Sequence, residues 1–416
     1  MTDTALPLGP IGDAEALGFD PERLGRIGPA MQSYVDDRKV PNLVTLVARR
    51  GRIVHLEARG VMDFETGEPV DTSTLFRLYS STKPLAGAAT MILFEDGVLT
   101  PDESVAHWLP EYSNLCVLNE SMVSERAHRG ITIRDCLTNT TGLATPARAP
   151  MGMRDEYRET MDRLGWLDEP SGLSPRERVR ALADLPLLAH PGDHFDYHVG
   201  YPILSAVLEE ASGQTLDELF RERIFEPLGM NDSGFYLADI ADGALSRFPA
   251  EYIPAEVDGT WKLICNEKAD ESEKHLGPRV HFGGGGDAGG VLSTIGDYAR
   301  FGQMLLNGGE LDGVRILGRK SVDLMVGNHT GDMVIPMTGP GFNWGLGVAV
   351  YHGRDRHPLI RSVGTYGWGG AAGTTYFADP AEDLLGVCFT QVRRHGTMPG
   401  NTYQEAFQRL VYQALV

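Results

Sequence analysis

Residues Ser80-Ser81-Thr82-Lys83 carry a hydroxyl and an amine three positions apart, a spacing that puts both on one face of a helix. A serine hydroxyl is a weak nucleophile until a base takes its proton, and a lysine serves once burial or a neighbouring charge lowers its pKa toward neutrality. Main-chain N–H groups at a helix start also face any oxyanion formed on an attacked acyl carbon. The simpler alternative is that Ser80 caps a helix and Lys83 is a solvated first-turn lysine. Against it, Leu75–Tyr79 reads as extended and the helix that follows is apolar, which places Lys83 on an otherwise buried element.

Two further segments carry residues of the right type. Pro191–Gly200 is a polar turn that ends in the helix Tyr201–Ser212, and Tyr197 stands just before that helix. A phenol whose pKa is lowered by a nearby ammonium can relay a proton between nucleophile and leaving group; the alternative is an aromatic that anchors the loop. Tyr366–Thr375 is rich in glycine and precedes a strand, so a substrate can lie against its backbone and an N–H can meet an oxyanion. Here the alternative is a tight bend with Trp368 as core filler.

Other chemistries find less support. No serine stands in G-x-S-x-G, and H-E-x-x-H is absent. His194 and His198 are four apart but sit in a loop, where helical spacing means little, so no metal is expected. The run Gly283–Gly286 with Asp287-Ala288-Gly289-Gly290 lacks the Gly-Lys-Ser/Thr of a phosphate loop and reads as a turn. No cofactor is expected.

The elements that must position these residues follow from pattern. Leu43–Arg49 and Ile53–Ala58 read as a hairpin. Ser80–Asp96 reads as an apolar helix with Pro84 in its first turn and Gly97 past its end. From about Pro101 to Phe282 the pattern is helical and loop-rich. Beyond it Asp297–Asn307 is helical, Trp344–Val350, Gly373–Ala378 and Leu384–Gln391 are strand-like, and Gln404–Ala414 is a closing helix. Strands at both ends with helices between predict one α/β domain, 1–100 and 283–416, split around a mainly helical insertion, 101–282, with the site in the cleft between them.

Composition bounds the partners. The 416 residues hold 37 Lys+Arg against 57 Asp+Glu, a net charge of −20, which excludes a basic nucleic-acid binder. The 42% hydrophobic and 23% charged residues are those of an ordinary globular chain. Four scattered cysteines form no C-x-x-C, and neither a signal-like N-terminus nor a membrane-length apolar run appears. A soluble cytoplasmic protein with reduced thiols is expected, with no nucleic-acid or membrane partner.

The three segments, in this order and at these separations, resemble the serine hydrolases of the class C β-lactamase and penicillin-binding-protein superfamily, most closely the family VIII carboxylesterases. Supporting stretches are Gly18–Leu24, Ile131–Leu143, Phe225–Met230, Gly289–Tyr298 and Trp344–Gly347, so that the resemblance covers roughly residues 15 to 412. It implies the β-lactamase/transpeptidase-like fold, an antiparallel sheet flanked by helices plus a helical lobe. It also implies Ser80 as acylated nucleophile, Lys83 as general base, Tyr197 as proton shuttle, and the Ser80 and Ala371 N–H groups as oxyanion hole. Trp368, Gly369 and Gly370 stand where β-lactamases have Lys-Thr-Gly, and Tyr197-His198-Val199 lacks their asparagine. A lysine at that place would pair with a penicillin carboxylate, a contact of roughly 1.5–3 kcal/mol, and its loss favours small neutral esters. Phe282 and Trp344 are further candidates for the acyl pocket. The expectation is a serine carboxylesterase; acyltransferase, β-lactamase and D-aminopeptidase readings share the fold, and a non-catalytic scaffold is the rival of another class.

Overall fold

Strand β1 (Asn42–Arg49) is buried along its whole length because helices cover both faces of the sheet it belongs to. Leu43 and Val47 enter a core with Phe19, Ile27, Met31, Phe377 and Phe407. Val44, Leu46 and Ala48 enter a second core with Phe76, Ala88, Met91 and Tyr298. The description rests on a computed structural model and covers residues 8–118, 123–144, 159–160, 175–197, 199–240, 243–272, 290–353 and 360–416. Phe282, His198, Gly283–Gly286 and the expected 282/283 boundary lie outside the described residues.

β1 turns into β2 (Arg52–Gly60) through Arg50 and Gly51, with φ of 51° and 69°, the left-handed pair that a two-residue hairpin turn needs. On its other side β1 pairs antiparallel with a strand from the far end of the chain. The seven-stranded sheet runs β3 (Phe342–Trp344), β4 (Ala349–Tyr351), β5 (Tyr366–Gly369), β6 (Thr375–Asp379), β7 (Leu384–Phe389), β1, β2, antiparallel throughout. Helices α1 (Ile27–Asp36) and α6 (Tyr403–Gln413) feed the first core. Helices α2 (Lys83–Glu95) and α5 (Ile295–Leu306) feed the second, together with α3 (Ile133–Thr138) and α4 (Gly200–Ser212). A large antiparallel sheet with helices on both faces is the arrangement that the sequence resemblance implies. Among the described residues no helix is long and apolar enough to cross a membrane.

Three local expectations need correction. The helix predicted from Ser80 is a 3-10 turn over Tyr79–Thr82 that becomes α-helical only at Lys83, with Pro84 in the first turn where its missing N–H costs nothing. The single strand predicted over Trp344–Val350 is two strands, β3 and β4, joined by a turn. Gly347, at φ 95°, makes that reversal against the Lys83 carbonyl oxygen, which a Cβ would meet at 2.6 Å. Within the stretch expected to be helical, Glu251–Val257 and Thr260–Glu267 form a long β-hairpin. It continues from the end of the main sheet, since Tyr252 N–H donates to Gln391 O at 3.0 Å and Arg393 N–H to Tyr252 O at 2.8 Å.

Gly347→Ala adds both backbone strain and a collision at α2. It should cost about 1–3 kcal/mol, read as a lower urea midpoint; an unchanged midpoint contradicts the close packing described here.

Candidate active site

The approach to Ser80 is fixed from several sides before any catalytic group is considered. Leu78 N–H donates to Val291 O at 2.9 Å, and Thr374 Oγ1 donates to Leu78 O at 3.1 Å. Tyr298 OH donates to Ser81 O at 2.7 Å, and Val291 N–H to Thr82 Oγ1 at 3.0 Å. Gly370 is packed so closely that a Cβ there would strike the Leu78 carbonyl oxygen. The turn Gly370–Gly373 between β5 and β6 is therefore locked against the Ser80 segment, with Ser81 Oγ 3.1 Å from Thr374 Oγ1.

Lys83 is fully buried, and its Nζ lies 3.0 Å from Ser80 Oγ. The i, i+3 spacing read from the sequence is thus realised across the junction of 3-10 turn and α-helix. The ammonium position also lies over two rings, 4.7 Å from the centre of Tyr197 and 4.8 Å from that of Tyr201. Tyr201 stands in the first turn of α4, and the sequence marks it only by its place four residues after Tyr197.

Tyr197 comes from the loop that precedes α4, and that loop rests on the end of α3. Helix α3 begins with a capping box, Thr132 with Asp135, and ends at Asn139 with φ 59°. Asp196 N–H donates to Asn139 O at 2.7 Å and Gly192 N–H to Thr140 O at 2.8 Å, which seats the loop. The Asp135 carboxylate also accepts from Thr140 Oγ1 at 3.1 Å and from Arg129 Nη2 at 2.9 Å. The run Ile131–Leu143 therefore supplies the shelf on which Tyr197 stands.

The Tyr197 hydroxyl is hydrogen-bonded to Ser80 and accepts the indole N–H of Trp368 at 2.7 Å. Burial pushes the phenol well up, and the two hydrogen bonds only partly offset it. The direction is upward, opposite to the lowering that a neighbouring ammonium would give, and the phenol carries its proton at neutral pH. Trp368 is in turn braced by Trp344, ring centres 4.4 Å apart, whose own N–H donates to Leu137 O at 2.9 Å. Trp344 is fully buried behind Trp368 and does not line the pocket.

A cavity of about 600 Å³ is lined by Ser80, Tyr197, Trp368, Gly369, Gly370 and Ala371, and also by Phe342, Met337 and Arg361. Among the described residues, the main-chain N–H groups of Ser80 and Ala371 donate to no protein acceptor. Arg361 has its guanidinium stacked over Phe342 and Tyr351 and donates to Gln408 Oε1 at 2.7 Å. His194 is exposed, and among the described residues no three His, Cys, Asp or Glu side chains gather as metal ligands would.

A serine and a lysine paired at the start of a buried helix, in a cleft beside an antiparallel sheet, define the class of β-lactamase-fold serine hydrolases. The chain matches the Beta-lactamase family over residues 29–409 and belongs to it. It is 32% identical over 413 residues to an uncharacterized protein of Mycobacterium tuberculosis, covering 93% of this chain and 98% of that one. It is 28% identical to esterase EstB of Burkholderia gladioli, over 92% and 94% of the two chains. The solved structure of EstCE1, described as a hydrolase with promiscuous acyltransferase activity, superposes with a TM-score of 0.77 at 27% identity, over 94% of this chain and 99% of that one.

Removing the indole donor isolates its contribution. Trp368→Phe should lower kcat about three- to tenfold, the worth of one neutral hydrogen bond, with KM changed less; an unaltered kcat shows that the Tyr197 hydroxyl needs no such support. Because the phenol stays protonated, Tyr197→Phe should reduce kcat without moving any inflection of the rate between about pH 6 and 9. An inflection that disappears with the hydroxyl would show Tyr197 titrating in that range.

Proposed function

We propose that the protein is a serine carboxylesterase that hydrolyses small neutral esters through an acyl-Ser80 intermediate. The observation that carries this reading is the 3.0 Å contact between Lys83 Nζ and the Oγ of Ser80, a residue that lines the cavity. Lys83, as the neutral amine, takes the Ser80 proton while Oγ attacks the ester carbonyl carbon. The developing oxyanion is received by the N–H groups of Ser80 and Ala371. Tyr197, protonated and hydrogen-bonded to Ser80, passes its proton to the departing alkoxide and is reprotonated through Lys83. The alcohol leaves, and water repeats the sequence in reverse on the acyl-enzyme.

Neutral esters are favoured over penicillin-like acids by the use made of Trp368. Its single N–H is committed to Tyr197, and it brings no cation to the place where a lysine would meet a carboxylate. Trp368, Gly369 and Gly370 line the cavity, and in this reading they receive the acyl group. An alcohol acceptor can replace water in the second half of the reaction, a reading favoured by the likeness to EstCE1. With Cys116, Cys136, Cys265 and Cys388 all free thiols, the reducing cytoplasm is the proposed setting.

Hydrolysis of p-nitrophenyl esters beside a chromogenic cephalosporin tests the proposal. Wild type should turn over the esters and leave the cephalosporin nearly intact. Ser80→Ala should abolish turnover, and Lys83→Ala should cost about 10²–10⁴-fold. Preferred cleavage of the cephalosporin, or a Ser80→Ala enzyme that keeps its rate, contradicts it.

A further inference from the structure

We propose that Glu251, outside the catalytic set, is a positioning residue for Ser80 that acts through the side chain of Tyr79; this rests on Ser80 being the nucleophile. Tyr79, immediately before Ser80, has φ 45°, in the left-handed region. The other non-glycine residues with positive φ among the described ones are arginine, asparagine or aspartate. Asparagine and aspartate enter that region at reduced cost because their short polar side chains bond locally, whereas a buried aromatic residue stays there only when its surroundings hold it.

The holding group is visible. Tyr79 OH donates to Glu251 Oε2 at 2.8 Å, and Asn266 Nδ2 donates to Glu251 Oε1 at 2.7 Å. Both carboxylate oxygens are therefore used, on a residue that is 1% exposed. Glu251 and Asn266 stand on the two strands of the hairpin 251–267, which bulges at Glu251/Tyr252. The facing strand also supplies Glu267, whose Oε1 accepts from Arg77 Nη2 at 2.8 Å. Arg77 Nη1 in turn donates to Gln391 Oε1 at 3.1 Å and to Pro249 O at 2.9 Å.

The hairpin thus grips residues 77 and 79, one on each side of Leu78, through two carboxylates. Leu78 is itself bonded at both its N–H and its carbonyl. Under that constraint the rotation at Tyr79 determines where the next residue points. If Tyr79 relaxed to an ordinary negative φ, Ser80 would swing its Oγ off Lys83 Nζ and carry its N–H out of the cavity. None of these groups faces the substrate, so the effect falls on the chemical step and not on binding.

The test compares kcat and KM for a p-nitrophenyl ester in folded wild type, Tyr79→Phe, Glu251→Gln, Glu251→Ala, Tyr79→Gly and the double variant Tyr79→Gly/Glu251→Ala. Tyr79→Phe and Glu251→Ala should each lower kcat about tenfold or more with KM within a factor of about two. Glu251→Gln, which keeps an oxygen acceptor, should retain most of the rate. Glycine adopts positive φ without help, so Glu251→Ala should cost little further in the Tyr79→Gly background.

An equal cost of Glu251→Ala in both backgrounds, or full kcat in Tyr79→Phe, overturns the proposal. Ser80→Ala run alongside separates the two levels. If it is inactive while Tyr79→Phe is fully active, the clamp alone fails; if it is active, the nucleophile assignment fails and takes the clamp with it.

Discussion

A fully buried lysine beside a serine hydroxyl is the constraint to which the rest of the site is fitted. Taking an ammonium out of water costs several kcal/mol unless other groups replace its hydration, so Lys83 can occupy the start of α2 only if its surroundings are built for it. The rings of Tyr197 and Tyr201 and the Ser80 hydroxyl occupy that place. The neutral amine, the form that can act as base, is the form that needs least solvation. In the proposed mechanism, burial of the element that carries Lys83 is therefore part of the chemistry as much as of the core.

Two pieces of chain, far apart in sequence, must meet at Ser80 with little freedom. The sheet brings them there because β1 joins the N-terminal hairpin to the C-terminal strands, so the turn after β5 reaches the segment just before α2. Thr374, the missing side chain at Gly370 and the Tyr298 hydroxyl then fix the contact. Ser80 and Ala371 both line one cavity, and among the described residues their N–H groups meet no protein acceptor. Such groups at a water-reached surface cost little, and in the proposed mechanism they keep their hydrogen-bonding capacity for a charge that appears only during reaction.

Much of this was legible in the sequence, and for stated reasons. The Ser80–Lys83 spacing is local, so helix geometry predicts the contact. The buried run of β1 and the apolar helix at 83–95 follow from composition, because elements covered on both sides need no polar face. The expectations that failed were of another kind. The turn at Gly347 is set by the approach of the α2 backbone, and the hairpin at 251–267 by pairing with the end of the sheet, both long-range contacts. The sequence marks Tyr197 only as a phenol ahead of a helix; its contact with Ser80 and the upward push of burial depend on what surrounds it in space. Tyr79 and Glu251, 172 positions apart, left no local mark beyond an aromatic residue ahead of the serine.

The most direct test is to add a p-nitrophenyl ester, quench within the first turnover, and map the acylated peptide by mass spectrometry. The account predicts one acyl group, on Ser80, that forms at the rate of p-nitrophenol release and disappears as the ester is exhausted. An adduct on any other residue, or release of p-nitrophenol with no adduct at any time, would contradict it.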